Sequence, residues 1–189
     1  LSCIDILVCL YNDIMNLNTD SFGKRIDKFI LSKGHAAPAY YAALASKGYI
    51  QKEDLKKLRK IDSSLEGHPS IKTNGVDVSS GSLGQGLSIA NGFAISKKLS
   101  NKDGYVYCLV GDGEIQEGQI WEAAMSANKY NLSNLILFID NNGLQIDGTI
   151  EEVKNVDNLK EKFQSFGFNV QEINGHDFNQ IINSVKIAK

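Results

Sequence analysis

Two runs of consecutive apolar residues constrain the fold of this chain more than any other feature. Tyr105 to Val110 gives six such residues and Leu135 to Ile139 gives five, and a helical pattern separates the two runs. A strand that is apolar at every position is one covered on both faces. Strand, helix and strand in that order form a parallel βαβ unit with a right-handed crossover. The sequence therefore predicts the α/β class, with a mostly parallel sheet and helices on both faces.

The remaining segments are predicted to be mostly helical. Residues 1–15 carry apolar side chains at i, i+3, i+4 spacing, which is typical of an amphipathic helix packed on a core. Phe168, Val170 and Ile173 predict a later strand. Further helices are predicted near residues 36–47, 52–60, 87–95, 121–127, 156–166 and 177–187. No linker divides the pattern, so we expect residues 1–189 to form one domain, cut at both ends from a longer chain.

The charge balance and the cysteines limit the partners and the compartment. Lys plus Arg number 20 and Asp plus Glu 22, which gives a net charge of −2 and no basic surface. We therefore expect no nucleic acid and no membrane partner. Cys3, Cys9 and Cys108 form no Cys-x-x-Cys pair and lie in apolar patterns, which favours buried free thiols. Free thiols persist in reducing compartments, so the sequence predicts a cytoplasmic protein.

Polar residues follow both predicted strands at the point where each strand ends. Residues 111–114 read Gly-Asp-Gly-Glu, and residues 140–144 read Asp-Asn-Asn-Gly-Leu. Ligands of an open parallel sheet bind outside the carboxyl ends of its strands, and one crossover can bring these two turns together. Asp112 and Asn142 would then present the hard oxygen donors that magnesium takes together with ligand phosphates. The pair suits a metal that holds a diphosphate.

Other phosphate motifs are absent from the sequence. A dinucleotide fingerprint requires a third glycine where this chain has Gln116, and no Gly-x-x-x-x-Gly-Lys-[Ser/Thr] occurs. Gly-Asp-Gly alone equally suits an ordinary turn, and Glu114 and Gln116 are predicted to be turn and capping residues. Glycine is nevertheless dense here, with 10 of the 17 glycines between Gly67 and Gly118. Such density is typical of backbone that turns sharply or approaches a ligand closely.

Five motifs in this order and spacing resemble the transketolase family. Gly-Asp-Gly followed at this distance by Asn-Asn is similar to the thiamine diphosphate motif of that family. The matching segments are LSKGHA at 31–36, EGHP at 66–69, GSLGQG at 81–86, GDGE at 111–114 and IDG at 146–148. The resemblance runs from residue 2 to about residue 177. It implies the thiamine diphosphate-binding fold, and within it the diphosphate-binding, N-terminal domain or subunit.

The resemblance implies a ligand set for the metal and the cofactor. Asp112, Asn142 and the main-chain carbonyl of Leu144 would hold Mg²⁺. Gly113 would lie against the diphosphate, and Ile146 would face the thiazolium ring. The cofactor-binding residues implied by the motifs are His35, Gly81, Ser82, Leu83, Gly111, Gly113, Asn142 and Ile146.

Four residues inherit catalytic roles from the resemblance. His35 and His68 would handle protons and contact substrate hydroxyls. Glu117 and Glu122 would link paired active sites across a subunit interface. Each has a structural alternative: a histidine in a loop can simply bind backbone groups, and an acid in the first turns of a helix can complement the helix dipole.

The implied activity needs a second domain. Transketolases transfer a two-carbon ketol unit from a ketose phosphate to an aldose phosphate, in the pentose phosphate pathway among others. The glutamate that protonates the aminopyrimidine lies in the family's second, pyrimidine-binding domain. We therefore expect a C-terminal subunit or domain as partner, sugar phosphates as substrates and a dimeric assembly with sites at its interface.

Three alternatives remain at this stage. One is another thiamine enzyme of the deoxyxylulose phosphate synthase type, although residues 114–122 read in transketolase manner. The second is a non-catalytic module that binds the cofactor or a partner. The third is a magnesium phosphohydrolase with Asp112 as its nucleophile, for which the sequence offers little else.

Overall fold

Three parallel strands form the centre of the protein. In the computed structural model, which describes residues 2–145, 148–156 and 158–189, these strands are β1 (Lys28–Leu31), β2 (Val106–Gly111) and β3 (Leu135–Asp140). Their order in the sheet is β1-β2-β3, so β2 pairs on both sides. All six β2 residues are buried, as a fully apolar strand requires.

Helices account for most of the remaining regular structure. Residues 10–14 continue the first helix as a π-helical turn, and residues 34–36, 52–57 and 113–116 form 3₁₀ turns. A small antiparallel pair consists of β4 (Leu144–Gln145) and β5 (Gly148–Thr149). Within the described part of the chain, no helix is long and apolar enough to cross a membrane. The helices are α1 (Ile4–Cys9), α2 (Ala37–Ser46), α3 (Gln85–Leu99), α4 (Gly118–Lys129), α5 (Ile150–Val153), α6 (Leu159–Ser165) and α7 (Phe178–Ala188).

The side chains of β2 alternate between two hydrophobic layers. Tyr107 and Leu109 pack in one layer with α1, α2 and α7. Val106, Cys108 and Val110 pack in the other with α3, α4 and α6. The predicted α/β class, with helices on both faces of a parallel sheet, is therefore confirmed. The three cysteines are buried and free, as predicted.

The predicted strand from Phe168 was wrong. Phe168 and Val170 pack against one layer and Ile173 against the other, an alternation that a strand would also show. Residues 168–173 nevertheless have no strand pairing among the residues described. Side-chain alternation predicts which way residues face, but a strand also needs the N–H and C=O groups of a neighbour.

The helix predictions were mostly confirmed, with two changes of geometry. The N-terminal helix begins at Ile4 and passes into the π-helical turn at Leu10. The helix expected over residues 52–60 is a 3₁₀ turn that ends at Lys57. The last helix begins as predicted, because the Asp177 carboxylate accepts hydrogen bonds from the helix's first free N–H groups, at 2.9 and 3.1 Å.

Truncation of Leu109 tests the two-layer arrangement. Leu109→Ala should lower the free energy of unfolding by about 2–5 kcal/mol, because Leu109 is fully buried and its loss leaves a cavity. Leu99→Ala is the matched control: Leu99 is 83% exposed at the end of α3, and its truncation should change stability by less than about 0.5 kcal/mol. Urea unfolding followed by circular dichroism measures both. Equal effects would contradict the layer assignment.

Candidate active site at the carboxyl edge of the sheet

The register of the sheet brings three loops to one edge. Leu31 at the end of β1 lies beside Leu109, and Gly111 at the end of β2 lies beside Asp140 at the end of β3. The segments that follow these strands therefore start side by side. They carry the predicted residues His35, Asp112–Gly113 and Asn142–Leu144, and the βαβ argument had predicted that the second and third of these could be neighbours.

Asp112 joins two of these loops directly. Its side chain is only 2% exposed. One carboxylate oxygen, Oδ1, accepts a hydrogen bond from the N–H of Gly113 at 2.8 Å, and Oδ2 accepts one from the N–H of Gly143 at 2.7 Å. The predicted proximity of the Gly-Asp-Gly turn and the Asn-Asn turn is thus a direct contact in the structure.

Asn142 and Leu144 lie on the open side of this contact. Asn142 is exposed, and its Oδ1 accepts a hydrogen bond from the N–H of Leu144 at 3.0 Å; the Leu144 side chain is 66% exposed. In the described ranges, no group of three or more His, Cys, Asp or Glu side chains could hold a metal. The carboxylate of Asp112, the amide oxygen of Asn142 and the main-chain carbonyl of Leu144 are nevertheless hard oxygen donors, the type that magnesium takes together with phosphate oxygens.

His35 and His68 approach each other across Gly34. A Cβ atom on Gly34 would lie 3.1 Å from Cδ2 of His68 and 3.1 Å from Oγ of Ser80, so the three loops pack closely there. Both histidine side chains remain exposed. Partial burial of the imidazole lowers the pKa of His35, and the nearby Lys33 ammonium and His68 ring lower it further. A neutral imidazole can accept a proton, as the predicted role of His35 requires.

The glycine loop lies beside these histidines. Gly81 and Ser82 are exposed and Leu83 is half-buried. The loop ends at Gly84, which has a positive φ of 85°, and a Cβ atom added there would lie only 2.8 Å from Cβ of Glu117, so the position favours glycine. The Ser80 hydroxyl is buried and makes no hydrogen bond to any described residue. A polar ligand beside the loop could satisfy this group, although Arg25, Asn91, Tyr107 and Asn134 also have a buried side-chain atom without a hydrogen bond to a described residue.

Glu117 and Glu122 lie at the start of α4 and within it. Glu117 precedes α4 and its side chain covers Gly84, whereas Glu122 is on the exposed surface of α4. Both side chains are exposed. Their proposed role at a subunit interface stays a prediction. Ile146, the residue expected to face the thiazolium ring, lies outside the described residues.

A buried ion pair beside Gly111 was not predicted from the sequence. The Lys33 ammonium lies 2.8 Å from Oδ2 of Asp140, and the two residues are 4% and 8% exposed. The hydroxyl of Ser2 donates to the same carboxylate at 2.6 Å. The pair connects the ends of β1 and β3 across Gly111, over 107 sequence positions. No local pattern could have indicated it.

Glu114 is also more than the predicted turn residue. Its carboxylate is 2% exposed and accepts hydrogen bonds from the Ser32 hydroxyl, from the N–H of Gly84 at 2.8 Å and from the N–H of Gly111 at 3.1 Å. Burial raises the pKa of Glu114, and these three donors oppose that rise. One carboxylate therefore contacts three of the glycine-containing motif segments, 31–36, 81–86 and 111–114.

Substitutions in the ion pair test the electrostatics at His35. Lys33→Met should raise the pKa of His35, because the variant removes a nearby cation and leaves the Asp140 carboxylate unpaired. Asp140→Asn should lower the same pKa, because it removes the carboxylate that favours the imidazolium. NMR titration of the imidazole protons measures both. If the pKa of His35 shifted in the same direction in both variants, this assignment would be contradicted. Loss of structure alone would move the pKa toward its ordinary value in both variants, so opposite shifts cannot come from unfolding.

This chain is similar to known proteins over its whole length. Residues 1–189 match the family described as "Transketolase, thiamine diphosphate binding domain". An apulose-4-phosphate transketolase subunit of Phocaeicola vulgatus is 42% identical over 98% of the chain. The 6-deoxy-6-sulfo-D-fructose transketolase subunit SqwG of a Clostridium species is 42% identical over 100% of the chain. The crystal structure of a transketolase from Campylobacter jejuni superposes on 97% of the chain with a TM-score of 0.87, at 37% identity.

The chain spans only part of each of these relatives. It covers 66% and 70% of the two subunits and 30% of the Campylobacter jejuni transketolase. The fold, the order of the motifs and the sequence matches over the full chain all indicate the same family. The chain belongs to the transketolase family and represents its thiamine diphosphate binding domain.

Proposed function

We propose that this chain forms the diphosphate half of a transketolase site that uses thiamine diphosphate and Mg²⁺. With a pyrimidine-binding partner domain, it would transfer a two-carbon ketol unit from a ketose phosphate to an aldose phosphate. The observation that carries the proposal is the 2.7 Å hydrogen bond from the N–H of Gly143 to Asp112, because it joins the two turns of the cofactor motif.

Different residues at this edge would bind the metal, the cofactor and the substrate. Asp112, Asn142 and the Leu144 carbonyl would hold the magnesium ion, and Gly113 would allow the diphosphate to approach the backbone. When bound, the cofactor supplies the electron sink for carbon–carbon cleavage. His35, neutral because its pKa is lowered, would accept a proton at its ring nitrogen from a substrate hydroxyl, and His68 would contact the substrate beside it.

The exposure of the site supports a second domain or subunit. Gly81, Ser82, His35 and Asn142 are all exposed, although catalysis of this kind requires a site closed to water. Two relatives are named as transketolase subunits, and the chain spans part of their length. We infer that a C-terminal subunit or domain covers this edge, with dimeric pairing through the region of Glu117 and Glu122.

The cellular setting follows from the same proposal. A cytoplasmic location suits the three free buried thiols, and a role in the pentose phosphate pathway suits ketol transfer between sugar phosphates. The net charge of −2 agrees with this proposal, because the diphosphate would be bound through the metal ion and not through a basic surface.

Removal of the Asp112 charge tests the cofactor site. Asp112→Asn should abolish magnesium-dependent binding of thiamine diphosphate, because the carboxylate supplies the only ionised metal ligand of the proposed set. Isothermal titration calorimetry of the complete protein with its partner, with and without Mg²⁺, measures this. Asp13→Asn, at an exposed position on the π-helical turn, is the control and should bind like the wild type. Wild-type affinity in Asp112→Asn would refute the metal assignment.

The activity is tested with the complete, cofactor-loaded protein. We expect a two-carbon unit to pass to an aldose phosphate acceptor from xylulose 5-phosphate, apulose 4-phosphate or 6-deoxy-6-sulfo-fructose, only when thiamine diphosphate and Mg²⁺ are present. Mass spectrometry of the sugar products identifies the donor. Pyruvate decarboxylation without ketol transfer would indicate a synthase of the deoxyxylulose phosphate type. A phosphoenzyme at Asp112 would indicate a phosphohydrolase, and an inactive protein that still binds the cofactor would indicate a non-catalytic module.

A further inference from the structure

The Glu114 carboxylate is the common acceptor for three separate segments of the site. Its Oε1 accepts from the Ser32 hydroxyl and from the N–H of Gly84, and its Oε2 accepts from the N–H of Gly111. Glu114, Ser32, Gly84 and Gly111 are all buried. Because water has little access to the group, its position is set by these protein donors.

Ser32 extends the contact to the first turn of α3. Its Oγ accepts a hydrogen bond from the N–H of Gly86 at 3.1 Å while its hydroxyl donates to Glu114. A Cβ atom on Gly86 would lie 2.3 Å from that oxygen, so only glycine allows this approach. The carboxylate, the hydroxyl and the start of α3 therefore form one packed unit.

Each donor lies within three positions of a predicted ligand-contacting residue. Gly111 precedes Asp112, Gly84 follows Leu83, and Ser32 lies three positions before His35. A shift of any donor relative to the others would move a metal ligand, the glycine loop or a histidine. Hydrogen bonds from three separate segments converge on one buried side chain, so Glu114 resists such shifts.

We propose that Glu114 is a positioning residue for thiamine diphosphate, an inference that rests on the proposed function. Glu114 does not contact the cofactor. It sets the spacing between the Gly-Asp-Gly turn, the glycine loop and the loop of His35, so that the groups facing the diphosphate and the rings are in place before the cofactor binds. This pre-organisation is expected to appear as cofactor affinity.

Glutamine is the informative replacement at this position. Glu114→Gln keeps the shape of the side chain but provides one acceptor oxygen and one amide NH₂ group. The three donors cannot all be accepted, so the NH₂ group must face the N–H of Gly84 or of Gly111. The repulsion between the NH₂ group and that backbone N–H should separate two segments of the site. No cavity opens, because glutamine has the same shape as glutamate.

The test is the affinity of the complete protein, with its partner and saturating Mg²⁺, for thiamine diphosphate. Glu114→Gln should raise the dissociation constant about 10- to 100-fold, as loss of an outer-shell partner does at other ligand sites. At saturating cofactor the sugar KM should be unchanged, because the substrate groups return to position once the cofactor is bound. Glu53→Gln, on the exposed 3₁₀ turn at 52–57, is the matched control and should bind like the wild type.

A second variant keeps the test decisive if Glu114→Gln fails to fold. Ser32→Ala removes one donor to the carboxylate and should raise the dissociation constant by a smaller factor. Where both fold, the double variant should bind no more weakly than Glu114→Gln alone, because both changes disrupt one network.

The outcomes separate this inference from the proposed function. Unchanged cofactor affinity in folded Glu114→Gln, or in Ser32→Ala if the first variant does not fold, would overturn the positioning role. If Asp112→Asn loses binding in the same series, the cofactor site itself still stands. A wild-type protein that does not bind thiamine diphosphate with Mg²⁺ would overturn the proposed function instead.

Discussion

The parallel pairing of β2 with both of its neighbours is the constraint on which the site depends. A strand that is apolar on both faces carries no reactive polar side chains along its length, so the polar residues lie in the loop that follows the strand. Gly111 lies beside Asp140, and Leu31 lies beside Leu109. Parallel strands end at the same edge, and this register places a carboxylate, an amide and an imidazole within one group of loops.

The fold was predictable to the extent that it depends on side-chain patterns. The continuous apolar runs indicated β2 and β3, and helical spacing indicated the layers on either side. The segment from Phe168 shows the limit, because its alternation is real but its backbone pairs with no described strand. Backbone pairing depends on a neighbour, and nothing in a segment's own residues reveals whether that neighbour is present.

The proximity of the two candidate turns was predictable from short motifs. Asp112 and Asn142 were predicted to lie close together, and the hydrogen bond from the N–H of Gly143 to Asp112 joins their turns. The Lys33–Asp140 ion pair and the contacts of Glu114 with Ser32 and Gly84 were not predicted, because they connect residues distant in sequence and charged residues are ordinarily exposed. Resemblance to a family identifies residues near the ligand more readily than the buried groups that hold those residues in place.

The lengths of chain between paired strands differ in a way that affects folding order. Val106 pairs with Leu135 after one helix, whereas Lys28 pairs with Val106 across a much longer stretch that includes α2, α3 and the glycine loop. Loop-closure entropy grows with the enclosed length, and non-local pairings form slowly. Loop closure therefore favours early pairing of β2 with β3, so the Gly-Asp-Gly and Asn-Asn turns are expected to come together before β1 and the loop of His35 join the sheet.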